Sequence, residues 1–78
     1  MTDLKETLCG IARAIVDNPD AVSVAETING NKVSLVLSVA ESDMGMVIGK
    51  GGKIAKAIRT VMRAAANTDG KEVTVDIS

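Results

Sequence analysis

A cluster of glycines interrupts the second half of the chain and limits how that half can fold. Residues 47–54 read VIGKGGKI, so the turn Gly49-Lys50-Gly51-Gly52 separates a short apolar stretch from a long pattern of helical period. Glycine breaks helices, and because it has no Cβ it lets another backbone approach closely. The helix that begins after such a turn presents free backbone N–H groups and the positive end of its dipole. Together with Lys50, these features predict a binding site for phosphate groups.

The length and composition of the chain restrict the functions it can have. Its 78 residues predict one domain, residues 1–78, near the lower size limit for independent folding. The sequence contains one Cys and no His, Phe, Tyr or Trp. These absences exclude His-based catalysis, His metal ligation and intrachain disulfides. No apolar run is long enough to span a membrane, and Met1 leads directly into a helical pattern, so we expect a cytoplasmic protein with no membrane segment.

Charge is distributed unevenly along the chain, although the net charge is only −1. Residues 1–43 carry three basic and seven acidic side chains, whereas residues 44–78 carry six basic and three acidic ones. The segment 44–68 contains no acidic residue and five basic ones, Lys50, Lys53, Lys56, Arg59 and Arg63. Because local fields follow local patches, the region of the glycine turn suits a polyanion even though the whole chain is acidic.

The first half of the chain predicts one helix followed by a β-hairpin. Thr2 is the expected N-cap of the helix, and Asn18-Pro19 stops it, since proline disfavours helix in the residue before it. Residues 21–28 and 32–40 are the expected strands, joined by the turn Asn29-Gly30-Asn31. The helix has one apolar face, formed by Leu4, Leu8, Ile11, Ala12, Ile15 and Val16.

The second half predicts two helices around the glycine turn and a last strand. Ser42 is the expected N-cap of a helix of one to two turns, which Gly49 ends. Residues 53–66 form the second helix and residues 72–77 the strand. The buried stripe of the second helix is expected to comprise Ile54, Ala57, Ile58, Val61 and Ala65, with the basic side chains on the other side.

The resulting order is α-β-β-α-α-β, which indicates an α+β fold with helices packed on one face of a three-stranded sheet. The strands on either side of the helix pair are joined by a crossover. Such a connection links parallel neighbours, whereas a hairpin links antiparallel ones. We therefore expect a mixed sheet.

Two common phosphate-binding motifs do not fit the glycine turn. A P-loop needs four residues between its first glycine and the Gly-Lys pair, then Ser or Thr for magnesium, but Gly45 and Gly49 are separated by three residues and Gly51 follows Lys50. A dinucleotide-binding turn starting at Gly49 would need glycine where Ile54 stands. With magnesium ligands and a catalytic base also lacking at suitable spacing, we expect no enzyme, no cofactor and no metal site.

A G-x-x-G turn between two helices is the loop that clamps single-stranded nucleic-acid backbone in KH domains. The segment 47–54 resembles the KH core signature, in which aliphatic residues precede the turn and an Ile follows two residues after it. The element order resembles the type II, bacterial arrangement of the KH fold, and this resemblance covers the whole chain. With one KH unit and nothing attached, the chain is similar to small single-KH-domain RNA-binding proteins of bacteria.

The resemblance implies a role for each residue of the turn and its neighbours. Gly49, Lys50, Gly51 and Gly52 would hold the sugar–phosphate backbone of about four nucleotides, with Lys50 as the cation. An aliphatic floor under the bases, with Val36 or Leu37 as a less certain wall, would comprise Val47, Ile48 and Ile54. Lys53, Lys56 and Arg59 are candidate backbone contacts or, equally, solvated surface charges. Met46 stands where relatives are expected to carry Arg or Lys, which implies weaker binding.

The resemblance also implies partners. Besides single-stranded RNA, these are a second copy of the chain and a larger KH-containing protein of the KhpB or Jag type. The implied role is post-transcriptional regulation or RNA chaperone activity linked to cell elongation and division. The alternative is a structural adaptor that keeps the KH fold for protein pairing and leaves its RNA groove weak or unused. The apolar Val61 and Met62 on the second helix are a hint of self-association.

Overall fold

The computed structural model describes residues 3–77 and, for Lys50, the backbone only. Its helices are α1 (Leu4–Ile15), α2 (Met44–Ile48) and α3 (Lys53–Thr68), and its strands are β1 (Ser23–Asn29), β2 (Lys32–Ser38) and β3 (Glu72–Ile77). Short 3₁₀ turns lie at Pro19–Ala21 and Glu41–Asp43, and Lys50–Gly52 forms a tight turn with non-helical backbone angles at Gly51. Among residues 3–77, no helix has the length and apolar character needed to cross a membrane.

The three strands form one sheet in the order β1-β2-β3. β1 pairs with β2 antiparallel, from Ser23↔Ser38 to Asn29↔Lys32, and β2 pairs with β3 parallel. The hairpin turn therefore has two residues, and Gly30 adopts the positive φ, 63°, that tight hairpins require. The mixed sheet and the α-β-β-α-α-β order confirm the expected type II KH fold.

The core lies between the helices and one face of the sheet. In β2, Val33, Leu35 and Leu37 are buried, while the alternate side chains are half-buried or, at Lys32, exposed. This period of two is what the sequence of β2 predicts. The core is built from aliphatic side chains and comprises Leu4, Leu8, Ala12, Val16, Val22, Val24, Val33, Leu35, Leu37, Val47, Ile58, Met62, Ala66 and Val75.

The N-termini of α1 and α2 differ in their capping. Thr2 lies outside the described residues, and Asp3 is the N-cap of α1, since its Oδ1 accepts a hydrogen bond of 3.2 Å from the Glu6 backbone N–H. Ser42 as the N-cap of the short helix is wrong. Ser42 lies inside the 3₁₀ turn Glu41–Asp43, and Asp43, which directly precedes α2, makes no side-chain cap there either. Its carboxyl group is used elsewhere.

The predicted buried stripe of α3 is wrong by about one residue around the helix. Of the expected residues only Ile58 is fully buried, whereas Ile54 and Val61 are exposed. The alanine-rich sequence of α3 has apolar residues around more than half of its circumference, so helical spacing alone does not select a face. The unbranched Met62 fills the core instead of the β-branched Val61. The stripe that packs inward comprises Ala55, Ile58, Met62 and Ala66.

Candidate nucleic-acid interface

The glycine turn reverses the chain between α2 and α3 by using backbone conformations that other residues avoid. The Gly49 backbone N–H closes α2 with a hydrogen bond of 2.8 Å to the Gly45 carbonyl oxygen. Gly49 then has φ 69° and ψ −177°, Gly51 φ 64° and ψ 22°, and Gly52 φ 77° and ψ 14°. Three of the four residues thus have positive φ, which glycine adopts without the steric cost that a Cβ brings.

The glycines of the turn do two different things. A Cβ at Gly49 would overlap Cγ1 of Ile54 and come within 3.0 Å of its Cβ and 3.1 Å of its backbone nitrogen. At Gly51 and Gly52, by contrast, a Cβ would meet nothing within 4 Å. Gly49 is therefore needed for the packing of the turn itself, whereas Gly51 and Gly52 leave open space in which a ligand can approach the backbone.

The N-terminus of α3 opens onto this space. Its capping residue is Gly52, which has no side chain to accept hydrogen bonds from the first backbone N–H groups of the helix. Among the described residues, no acidic side chain lies in the first turn, and Lys53 is exposed there. A 16-residue helix with a basic, uncapped N-terminus attracts anions. The backbone of Lys50 lies in the same turn.

Aliphatic side chains flank the turn, but only two of the three predicted ones have exposed surface. Ile48, before the turn, is 40% exposed, and Ile54, after it, is 38% exposed. Val47 is completely buried in the core, so it supports this surface from below and has no area left for a base. Exposed isoleucines on both sides of a polar turn form an amphipathic edge, apolar at the flanks and electropositive at the turn.

Neither Val36 nor Leu37 of β2 forms the predicted aliphatic wall beside the bases. Leu37 is completely buried, and Val36 points to the opposite face of the sheet. α3 packs along β3, the edge strand that follows it in the sequence. The sequence contained a signal for this arrangement, since a parallel strand that follows a crossover helix packs along that helix.

The basic side chains of α3 divide into two groups. Lys53 and Lys56 are exposed near the turn. Arg59 is half-buried, and its Nε donates a hydrogen bond of 3.0 Å to the Val75 carbonyl oxygen on β3. Arg59 and Arg63 line a cleft of about 330 Å³ between α3 and β3, with Val73, Thr74, Val75 and Asp76 on the other side. Arg59 is therefore bonded to the fold, unlike the two lysines.

Two further observations bear on chemistry at this edge. Met46, on α2, is 43% exposed, so a soft apolar side chain occupies a position where the family resemblance leads one to expect a cation. Among residues 3–77 there is no group of three or more Cys, Asp or Glu side chains placed to hold a metal ion. The groups available at this edge are backbone N–H groups, lysines and aliphatic surface.

Sequence comparisons place the chain among known proteins. The sequence profile described as KhpA/KhpB, KH domain, matches residues 5–77. RNA-binding protein KhpA of Clostridium acetobutylicum is 51% identical over 74 residues, which are 95% of this chain and 99% of that protein. The protein of the same name from Caldanaerobacter subterraneus is 54% identical over 67 residues, 86% of this chain and 89% of that one. That of Bacillus subtilis is 43% identical over 79 residues, 99% of this chain and 98% of that one. The chain belongs to the KhpA/KhpB family of KH domains.

Proposed function

We propose that this chain is a non-enzymatic RNA-binding protein that clamps a short segment of single-stranded RNA by its sugar–phosphate backbone. The observation that carries the proposal is the glycine turn. Its residues Gly51 and Gly52 leave the backbone open, and the uncapped N-terminus of α3 lies directly behind them. The relatives named RNA-binding protein KhpA support RNA binding, the coarser part of the proposal.

Each part of the edge has a role in this proposal. Phosphates lie against Gly51, Gly52 and Lys50, where backbone N–H groups and the helix dipole favour negative charge. Bases rest on Ile48 and Ile54, which offer apolar surface without aromatic stacking. Lys53 and Lys56 add electrostatic attraction to the strand. The site spans about four nucleotides, the length that KH turns hold.

The test is RNA binding by a chain with Lys50→Asp and Gly51→Asp. Gly51 is the suitable glycine, because a side chain there has open space and Asp tolerates the left-handed conformation better than most residues. Two carboxylates at the turn repel phosphate, so we expect the affinity for a single-stranded RNA probe to fall at least about ten-fold. Fluorescence anisotropy with labelled RNA measures the affinity, and circular dichroism checks the fold.

Two matched variants separate the effect of charge at the turn from other effects. Lys50→Gln with Gly51→Asn alters the same positions without adding negative charge, and we expect it to bind RNA better than the double Asp variant. Lys5→Asp with Gly10→Asp makes the same change in net charge on the exposed face of α1 and should bind nearly as well as the unmodified chain. Equal binding by the folded double Asp variant and the unmodified chain would refute the clamp.

The proposal includes protein partners. We infer that two copies pair through an exposed apolar stripe on α3, formed by Ala57, Val61 and Ala64. Val61 at its centre is 51% exposed and no charged residue interrupts it. Because one domain with few phosphate contacts binds weakly, pairing would add avidity.

A larger protein of the KhpB or Jag type is the second expected partner. Sedimentation of this chain mixed with that larger protein at micromolar concentration tests the pairing, and absence of a joint complex would contradict it.

In the cell, we propose a cytoplasmic post-transcriptional regulator or RNA chaperone that influences cell elongation and division. This role depends on the clamp. Under this proposal, deletion of the gene and its replacement by the double Asp variant should change cell length in the same way. Cells of normal length with that variant would separate the cellular role from RNA binding.

The alternative function is a structural adaptor that uses the KH fold for protein pairing. The exposed Met46, in place of a cation beside the turn, favours this alternative, as does the apolar stripe on α3. The same variants decide between the two functions. If the double Asp variant keeps both its oligomeric state and every cellular effect, pairing is the function and the turn is not needed for it.

A further inference from the structure

The short helix α2 carries the glycine turn but has few attachments of its own. It comprises five residues, Met44–Ile48, and Val47 is its only fully buried side chain. A helix of this length is not stable in isolation, so its direction depends on what anchors it. Any rotation of α2 about Val47 would move Gly49 and the turn that follows. A second anchor is therefore needed to fix the turn in one position.

Asp43, directly before α2, supplies a contact of this kind. It is only 1% exposed, although its side chain is polar and the two residues before it are exposed. Its Oδ2 accepts hydrogen bonds of 3.0 Å from both the backbone N–H and the side-chain Nδ2 of Asn18, and its Oδ1 accepts one of 3.4 Å from the Asp17 backbone N–H. Asn18 Nδ2 also donates to Ser42 Oγ at 3.4 Å.

These bonds join two segments that are 25 residues apart in sequence. Asp17 and Asn18 follow α1, which packs in the core through Leu4, Leu8 and Ala12. The carboxyl group does not cap its own helix, as an Asp in that position commonly does, and is committed to the end of α1 instead. Asp43 and Val47 are four residues apart, so they lie on the same side of the helical segment.

We infer that Asp43 is a positioning residue for the glycine turn. With Val47 it fixes α2 at two points, one helical turn apart, and so sets the direction in which Gly49–Gly52 faces its ligand. Loss of this contact leaves α2 held by Val47 and by its packing against α3, so the N-terminal end of α2 can shift. Affinity then falls because only a fraction of molecules holds the turn in the binding position. This inference rests on the proposed RNA clamp for its functional meaning.

The experiment compares Asp43→Asn and Asn18→Ala in the full chain. Asp43→Asn keeps the size of the side chain but turns an NH₂ group towards donors, whereas Asn18→Ala removes one donor and leaves the carboxyl group in place. We expect RNA affinity to fall about five- to ten-fold for the first and about two- to three-fold for the second. In the free protein, the NMR amide signals of Gly49, Gly51 and Gly52 should shift or broaden in both. The double variant should bind nearly like Asp43→Asn alone, since the shorter of the two hydrogen bonds from the Asn18 amide is the one to Asp43.

Asp3→Ala is the matched control, because it removes a helix-capping carboxyl group far along the chain from the turn. It should lower stability without shifting the three glycine signals or weakening RNA binding below its melting temperature. If Asp43→Asn and Asn18→Ala behave like Asp3→Ala, Asp43 has only a structural role and the inference is wrong. The glycine signals are measured without RNA, so they test the positioning of the turn even if the unmodified chain binds no RNA, a result that would refute the clamp instead.

Discussion

At the scale of single residues, the glycine turn shows that similar residues in one motif have different requirements. Gly49 combines φ 69° with ψ −177°, a region that only glycine occupies, and it packs against Ile54. Gly51 and Gly52 have left-handed helical conformations with open space around them. The sequence predicted a tight turn with an accessible backbone, but it did not distinguish the glycine that packs from those that leave space.

This difference predicts unequal effects of alanine at two of the glycines. Gly51→Ala should cost about 1–2 kcal/mol of unfolding free energy, the price of a Cβ in the left-handed region. Gly49→Ala should cost about 3 kcal/mol or more, because the strained conformation and the overlap with Ile54 add together. Urea unfolding followed by circular dichroism measures both. Equal losses would show that the turn relaxes and that Ile54 does not constrain it.

At the scale of elements, α3 presents three different surfaces along its length. Ala55, Ile58 and Met62 face the core, the basic side chains face solvent and β3, and the stripe around Val61 is apolar and exposed. Helical spacing predicted the length of α3 to within two residues but placed its buried face wrongly. The buried and the exposed apolar stripes recur with the same helical period, so spacing does not distinguish them. Only the packing of α3 against α1 and the sheet distinguishes them.

The exposed stripe predicts a change in oligomeric state. Val61→Lys places a charge at its centre and should convert a dimer into a monomer while leaving the fold stable, since Val61 is half exposed. Thr60→Lys, on a neighbouring exposed face, should leave the dimer intact. Sedimentation velocity measures the outcome, with Met62→Ala as a contrast that should destabilise the core by about 2–5 kcal/mol. A Val61→Lys protein that sediments like the unmodified dimer would exclude this face.

The other elements show what the sequence determines and what it does not. The bounds of β3 and the position of the hairpin were predictable, since alternation and the segment Asn29-Gly30-Asn31 are local signals, but the structure places Asn29 in β1 and leaves a two-residue turn. The capping of α2 was not, because the carboxyl group of Asp43 bonds to Asn18, a contact between distant parts of the chain. The same holds for Arg59, whose bond to Val75 depends on how α3 lies along β3. At the candidate site, the turn and its flanking isoleucines followed from sequence spacing, but the burial of Val47 required the fold.

At the scale of the whole molecule, charge is separated along the chain. The acidic residues are concentrated in residues 1–43, whereas the glycine turn and α3 carry five basic residues and no acidic one. The glycine turn and α3 are therefore a locally basic segment within an acidic chain, and this segment is the part of the chain that attracts a polyanion. The net charge of −1 conceals this property.

The charge separation predicts a modest dependence of RNA affinity on salt. With about two to four phosphate contacts at the turn, the slope of log K against log salt should be roughly −1.5 to −3, since each contact to a single strand contributes about −0.7. Lys56→Gln should make the slope shallower by about 0.7, because it removes one cation that attracts the strand. An unchanged slope would show that Lys56 is a solvated surface charge. Anisotropy titrations between 50 and 300 mM salt measure it, and a slope near zero would argue against backbone clamping.

The hydrogen bond from Arg59 to the Val75 carbonyl oxygen affects how readily strands of other molecules can add to the edge of the sheet. β3 is an edge strand, and an open edge of unpaired backbone groups is a template on which strands of other molecules can add. Because the Arg59 Nε–H group already occupies the Val75 carbonyl oxygen, an incoming strand would have to displace a cation before it could pair at that residue. This side chain of α3 therefore makes strand addition at β3 less favourable.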